Sequence, residues 1–223
     1  MIYFRGCTAR QKETSIADST EKLLQLAGIQ YRILDNEKCC GSVLLRTGFV
    51  DSARKQIEKN TNDLAGELVL TSCAGCYNTL KNDYDNIDVI HISEFIDQLI
   101  NENKLEFNKK DFKVTYHDPC HLSRHCRVFN PPRNVIGNVA DLIEMENHHE
   151  NSLCCGAGGG VKSAYNDLAI EISESRINQA KNTDSNILIT SCPFCKLNLK
   201  NDDIDVLDLT EFLVEYGGLD EKD

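Results

Sequence analysis

No stretch of this 223-residue chain carries an apolar run long enough to cross a membrane. The opening Met1-Ile2-Tyr3-Phe4-Arg5-Gly6-Cys7 lacks the apolar core of a secretory signal, so a cytoplasmic location is expected. Basic residues are few: 24 Lys and Arg stand against 35 Asp and Glu, a formal net charge of −11. A chain this acidic is repelled by phosphate backbones, which excludes nucleic acid as the expected partner. The shortage falls on the second half, with 14 basic against 16 acidic residues in 1–110 and 10 against 19 in 111–223. The ferredoxin run of closely spaced cysteines ending before proline is missing, and so is any flavin signature. A dinucleotide fingerprint is incomplete: Gly156, Gly158 and Gly159 imitate its start, but Val161 stands where its last glycine belongs.

Cysteine, by contrast, is plentiful at 11 residues. In a reducing compartment that number points to metal or redox chemistry, not to a disulfide scaffold. Ten of the cysteines fall into two matching sets: Cys7, Cys39, Cys40, Cys73 and Cys76, then Cys120, Cys154, Cys155, Cys192 and Cys195. Only Cys126 is left over, read as an unliganded thiol. Each adjacent pair runs into glycine, at Cys39-Cys40-Gly41 and at Cys154-Cys155-Gly156-Ala157-Gly158-Gly159-Gly160. Glycine lets backbone close on a compact object and offer N–H groups to it.

The rest of the chain repeats around these sets. Leu70-Thr71-Ser72-Cys73 matches Ile189-Thr190-Ser191-Cys192, and Ser93-Glu94-Phe95-Ile96 matches Thr210-Glu211-Phe212-Leu213. Short apolar segments at Ile2–Arg5, Tyr31–Leu34, Leu68–Thr71 and Asp88–Ile92 read as strands, and Lys113–Tyr116, Leu142–Met145, Asn186–Thr190 and Val206–Leu209 repeat them. Helical spacing lies between, with Ser15 and Asp18 resembling a capping box, Gly28 a helix stop, and Pro131-Pro132 a helix start. The expected fold is α/β, a tandem repeat of two similar units with mainly parallel sheets, divided into 1–106 and 107–223 across a polar linker near Asn103 to Phe112. Cysteines at strand ends and helix starts sit where open α/β sheets gather ligands.

Three chemistries compete for these sulfurs. A structural zinc site takes four ligands, one fewer than each set offers. Reversible dithiol exchange uses the two Cys-x-x-Cys pairs and leaves the other six cysteines without a task. An all-sulfur set with backbone donors suits iron–sulfur best.

The two sets, together with Tyr116-His117-Asp118-Pro119-Cys120-His121-Leu122, resemble the cysteine-rich "CCG" domain in two copies. The likeness is to the catalytic subunits of CoB–CoM heterodisulfide reductase, the B-type subunit and the corresponding part of the D-type subunit. It implies two noncubane 4Fe–4S clusters, one on each five-cysteine set. It further implies reduction of a mixed disulfide of CoM-S-S-CoB type, a reaction of methanogenesis, fed by a separate ferredoxin-like iron–sulfur subunit. The ferredoxin-like region of the D-type subunit has no counterpart here. Related CCG proteins serve lactate-, glycolate- and fumarate-linked systems, so an electron-transfer subunit is the alternative, and a zinc-binding interaction module a third.

An anionic thiol or disulfide substrate calls for cations. Arg124, Arg127 and Arg133 follow Cys120, and Arg10 and Arg46 take related places in the first half, so these five are the expected substrate contacts. His117, His121 and His125 flank Cys120 and are candidate proton donors to a departing thiolate. His91 is expected near the core, and His148 and His149 in an exposed loop.

Overall fold

The computed structural model describes residues 1–219. The first half runs β1 (Ile2–Tyr3), α1 (Cys7–Gln11), α2 (Thr14–Leu26), α3 (Ser42–Arg46), α4 (Val50–Leu64), β2 (Val69–Thr71), α5 (Ala74–Asn82), β3 (Val89–His91) and α6 (Ile92–Asn101). The second runs β4 (Lys113–His117), α7 (Asn130–Gly137), β5 (Asp141–Leu142), α8 (Val161–Ala164), α9 (Asn166–Lys181), β6 (Ile187–Thr190), α10 (Pro193–Leu199), β7 (Asp205–Asp208) and α11 (Leu209–Tyr216), with a short 3-10 turn at His149–Asn151. The strands form two sheets, ordered β1-β2-β3 and β5-β4-β6-β7. Every pairing is parallel, which requires the helical crossovers that the strand–helix alternation announced. The architecture is the expected α/β repeat.

The repeat extends to its capping chemistry. β3 and β7 each end on the residue that caps the following helix. The His91 ring accepts from the Ser93 N–H at 3.2 Å while Glu94 accepts from the His91 N–H, and the Asp208 carboxylate accepts from the Thr210 N–H at 3.0 Å while Glu211 accepts from the Asp208 N–H. Pro131 and Pro132 open α7, where missing N–H groups cost nothing. Gly28 stops α2 with φ of +67°, and the Ile29 N–H returns to the Leu24 carbonyl at 2.9 Å.

Four local expectations are corrected. Tyr31–Leu34 is no strand: only Arg32 bridges to Ile2, since the chain leaves the sheet edge at once and Arg32 turns to Glu67. Ser15 does not cap α2, which starts at Thr14, and Glu13 before it turns inward to Lys196 and Lys200. The segment from Asn103 to Phe112 is no free linker, because Leu105 is buried and Phe107 and Phe112 pack on the main core. His148 and His149 are half-buried, with the His149 ring 5.7 Å from that of Phe129.

That core crosses from one half to the other. Tyr3, Leu24 and Leu70 of the first half share it with Val135, Phe212 and Leu213 of the second. α2 packs on α11 and α6 on α7, an exchange that repeats the same contact with the halves swapped. Lys196 adds a buried polar tie, reaching Glu211 at 2.6 Å and Glu13 at 2.8 Å. Phe212→Ala should therefore cost about 3–5 kcal/mol and speed hydrogen exchange in α2 as well as in α11. Unchanged exchange across Thr14–Leu26 would show two separate cores.

Candidate metal centre

Each central strand delivers a cysteine to a helix start. β2 ends at Thr71, Ser72 follows, and Cys73 then caps α5, its sulfur accepting from the Cys76 N–H at 3.4 Å. β6 likewise runs through Ser191 to Cys192 at the start of α10. The strand ends are fixed by buried hydroxyl pairs that repeat: Tyr3 with Ser72 at 2.9 Å and Tyr116 with Ser191 at 3.2 Å. The paired cysteines sit in turns held by their carbonyls. Asn60 donates to the Cys39 carbonyl and Tyr84 to that of Cys40, both at 2.9 Å, and Asn198 donates to the Cys155 carbonyl at 2.6 Å. Gly41 and Gly156, with φ of +88° and +90°, each turn an N–H onto the sulfur two residues back, at 3.4 Å in both cases.

The fold joins both sets into one chain of sulfurs. Cys7 donates to Cys39 at 3.9 Å. Cys39 and Cys76 interact with Cys40, Cys73 and Cys195 with Cys192, and Cys120 and Cys155 with Cys154. The three acceptors, Cys40, Cys192 and Cys154, are pulled well below the ordinary thiol range by these hydrogen bonds. Their donors are pushed up; Cys155 rises to about 12, first through Cys154. The Cys73–Cys192 link matters most, because it connects residues of different halves: Cys192 is the largest influence raising Cys73. Six sulfurs of the run are buried, while Cys7, Cys39, Cys120 and Cys154 are partly accessible at its two ends.

The surroundings fit a bound inorganic group. The donors are sulfur throughout. A Cβ placed on Gly6, whose φ is +79°, would meet the Cys76 sulfur at 2.9 Å, so that turn closes on sulfur, and one on Gly156 would meet the Ala169 carbonyl at 2.6 Å, so that turn closes on α9. His117 is buried beside Cys155 and Cys195, and its Nε2 has no partner among the described residues. Burial, then the charge of Arg176, holds its pKa near 3, so the ring is neutral. The segments 5–12, 38–47, 120–128 and 152–163 contain eight Lys and Arg and no Asp or Glu, against the sign of the whole chain.

The expected contact residues divide. Arg10 and Arg124 play matching parts, each donating to the carbonyl two residues before a cysteine pair, that of Glu37 and that of Ser152. Arg46 is exposed and pairs with Asp83 at 2.9 Å, and Arg127 is exposed. Arg133 is corrected: its guanidinium is held by Asp118 at 2.8 Å and Glu144 at 2.6 Å and lies over the Tyr116 ring, leaving nothing for a substrate. The Asp118 carboxylate in turn accepts from the His149 N–H at 2.9 Å, so Arg133 braces the Cys120 turn. His121 lies between the sets: a Cβ on Gly75 would come 3.6 Å from its Nδ1, and burial lowers its pKa from the usual histidine value. His125 is exposed, 5.2 Å from the His121 ring. Cys126 stands apart from the run, against Asn78 and Asn82 of α5.

Two contributors are not evident from the cysteine pattern. Glu37 is buried and accepts from the backbone N–H groups of Arg5 and Gly6, closing the turn before Cys7. Arg176 is fully buried and donates to His117 at 3.0 Å. Its place was readable, since Ala169, Ser173, Arg176, Ile177 and Ala180 follow helical spacing on one buried stripe of α9.

The cysteine-rich domain family (CCG) matches residues 1–81 and 114–200, the two halves of the repeat. The chain belongs to this family. It is 39% identical to the D-type subunit of the dihydromethanophenazine:CoB–CoM heterodisulfide reductase of Methanosarcina acetivorans, across 98% of this chain and 59% of that protein. It is 33% identical to the B-type subunit of the fumarate reductase (CoM/CoB) of Methanothermobacter marburgensis, across 95% and 45%. It is 30% identical to the EtfAB:quinone oxidoreductase of Syntrophomonas wolfei, across 87% and 30%. The chain thus spans about 60% or less of these curated relatives' length. Among solved structures, an aspartate racemase of Picrophilus torridus aligns over 94% of this chain and 87% of its own at 12% identity and a TM-score of 0.40.

Gly6→Ala should press on the Cys76 sulfur and empty the first set, lowering bound metal by up to about half, because metal binding and local folding are linked. Cys126→Ser should leave metal content unchanged. Full metal in Gly6→Ala, or loss in Cys126→Ser, would contradict this assignment.

Proposed function

We propose that this chain is the cysteine-rich part of an iron–sulfur oxidoreductase that reduces a mixed disulfide of CoM-S-S-CoB type to two thiols. The observation that carries the proposal is the run of ten sulfurs, in which Cys192 of one set is the largest influence on Cys73 of the other. Centres so placed leave one substrate bond within reach of both. Cys7, Cys39, Cys40, Cys73 and Cys76 hold one noncubane 4Fe–4S cluster, and Cys120, Cys154, Cys155, Cys192 and Cys195 hold the other. Such clusters, when bound, supply electrons singly, so a two-electron cleavage needs both. The thiol pair comes from the relatives: two of them are named for CoM and CoB.

The protein's own residues handle charge and protons. Arg124 and Arg127, with Arg10 and Arg46 on the other side, offer cations at the accessible ends of the run to sulfonate, carboxylate or phosphate groups. His121, lodged between the sets, and exposed His125 beside it are the groups placed to pass a proton to a departing thiolate. His117 lies too deep for that task.

Electrons arrive from a separate ferredoxin-like iron–sulfur subunit. Its landing surface is apolar: among the described residues all seven exposed large hydrophobics come from segments 43–50 and 153–170, Phe49 and Tyr165 included. The two segments meet where Gly160 faces Thr47. No helix of the described residues is long and apolar enough to cross a membrane. The likeness to EtfAB:quinone oxidoreductase favours a second reading, an electron-transfer subunit without disulfide chemistry.

The anaerobically purified chain should contain about eight irons with matching acid-labile sulfide. One or two zinc atoms without sulfide would establish the zinc-binding interaction module instead. Cys39→Ser and Cys154→Ser should each remove up to about half the iron and abolish disulfide cleavage; full turnover with one set damaged would favour the electron-transfer reading. Arg124→Ala and Arg127→Ala should raise the apparent substrate constant roughly tenfold, about 1.4 kcal/mol, at unchanged iron. Native affinity in both would assign those arginines to the surface.

A further inference from the structure

The two sulfur sets differ in one buried neighbour. Tyr3 and Tyr116 are repeat partners, each bonded to the serine before a Cys-x-x-Cys pair. The residues that follow them, Phe4 and His117, therefore hold equivalent places. Phe4 is buried in the cluster that contains Cys40 and Cys76. His117 is buried with Cys155 and Cys195, the matching members of the second set, and a ring nitrogen and both sulfurs lie within 4.8 Å of one another. One set meets a hydrocarbon ring where the other meets an imidazole.

The position of the imidazole proton follows from Arg176. Its Nε donates to His117 Nδ1 at 3.0 Å. A guanidinium donates and never accepts, so Nδ1 is the acceptor and the ring proton sits on Nε2. Arg176 has no freedom to release it: its remaining nitrogens reach the Asn147 carbonyl at 2.8 Å, Gln179 Oε1 at 2.7 Å and Ser152 Oγ at 3.3 Å. Nε2 is left buried with no hydrogen-bond partner among the described residues. A buried donor without a partner is costly, and the sulfurs of Cys155 and Cys195, grouped with a ring nitrogen of His117 within 4.8 Å, are the candidate acceptors once a cluster holds them as thiolates. In the first half the helix matching α9 is α4, and its buried Asn60 goes to the Cys39 carbonyl instead, so no such device exists beside Phe4.

We propose that His117 donates its Nε2–H to the sulfurs of Cys155 and Cys195 and holds the second cluster at a higher reduction potential than the first, with Arg176 as the positioning residue that fixes the tautomer. The inference rests on the iron–sulfur reading above. A hydrogen bond to a ligand sulfur stabilises the added negative charge of the reduced form, which raises the potential. The repeat is thereby polarised: the first electron to arrive settles on the second set.

The test is an anaerobic redox titration of the full chain followed by EPR, comparing the native protein with His117→Phe and His117→Gln. Phe copies the first half, whereas Gln keeps an N–H near the place of Nε2. In His117→Phe the reduced-to-oxidised ratio of the second cluster at fixed potential should fall on the order of tenfold, about 59 mV for a one-electron couple, with iron unchanged. His117→Gln should stay close to native. Should His117→Phe fail to fold, the native chain with isotopically labelled histidine gives an independent readout: a weak nitrogen coupling on the second cluster's EPR signal. Unmoved midpoints in an iron-replete His117→Phe overturn the proposal. So does a coupling strong enough for a direct iron ligand, and so does the absence of any coupling. Zinc without sulfide overturns the iron–sulfur reading beneath it, and metal analysis reveals that before any potential is measured.

Discussion

The sulfurs of Cys7 and Cys39 stand 3.9 Å apart, and eight more cysteines continue the run through their mutual influence. Two thiolates about 4 Å apart repel by about 4 kcal/mol at an effective dielectric constant near 20. Ten such groups cannot ionise together unless cations lie among them. Without metal they share protons, with Cys40, Cys154 and Cys192 accepting from their neighbours. Much of the local structure answers to this constraint. The cysteine-bearing loops carry no carboxylate to add to the repulsion, and the two acids nearby, Glu37 and Asp118, are buried and satisfied by backbone N–H groups or by Arg133. Glycine stands where a Cβ would collide with sulfur or close the turn.

The meeting of the two sets is a consequence of packing. Each half brings its sulfurs to the carboxyl ends of its own parallel sheet, as α/β folds do with ligands. Nothing in one sheet places those ends against the other. That is done by the shared core, where α2 meets α11 and α6 meets α7, and by the buried Glu13–Lys196 contact between halves. Hydrophobic burial far from the chemistry thus decides that Cys192 becomes the strongest influence on Cys73.

The cysteine spacing, the glycine turns and the repeated Ser/Thr-Glu-Phe helix starts are short-range patterns, and the parallel α/β repeat was legible from them. Long-range electrostatics was not. Arg133 looks like Arg124 and Arg127 in the chain, yet Asp118 and Glu144 claim it, and Glu144 is brought near only by folding. Tyr31–Leu34 has strand composition but only the edge of β1 to pair with, and the chain turns away after one bridge. The polar look of 103–112 hid Leu105, Phe107 and Phe112, whose spacing fits neither helix nor strand but which all reach the core. His117 and Arg176 lie 59 residues apart, so their bond is invisible until the sheet and α9 are packed.

Contact between the two sets is the central structural claim, and magnetism reads it directly. With both clusters reduced in the anaerobic chain, their EPR signals should be split or broadened by mutual spin coupling. Removing one set through Cys39→Ser should return the other to a simple spectrum. Two sharp, independent signals in the fully reduced native protein would contradict a continuous sulfur run through Cys73 and Cys192.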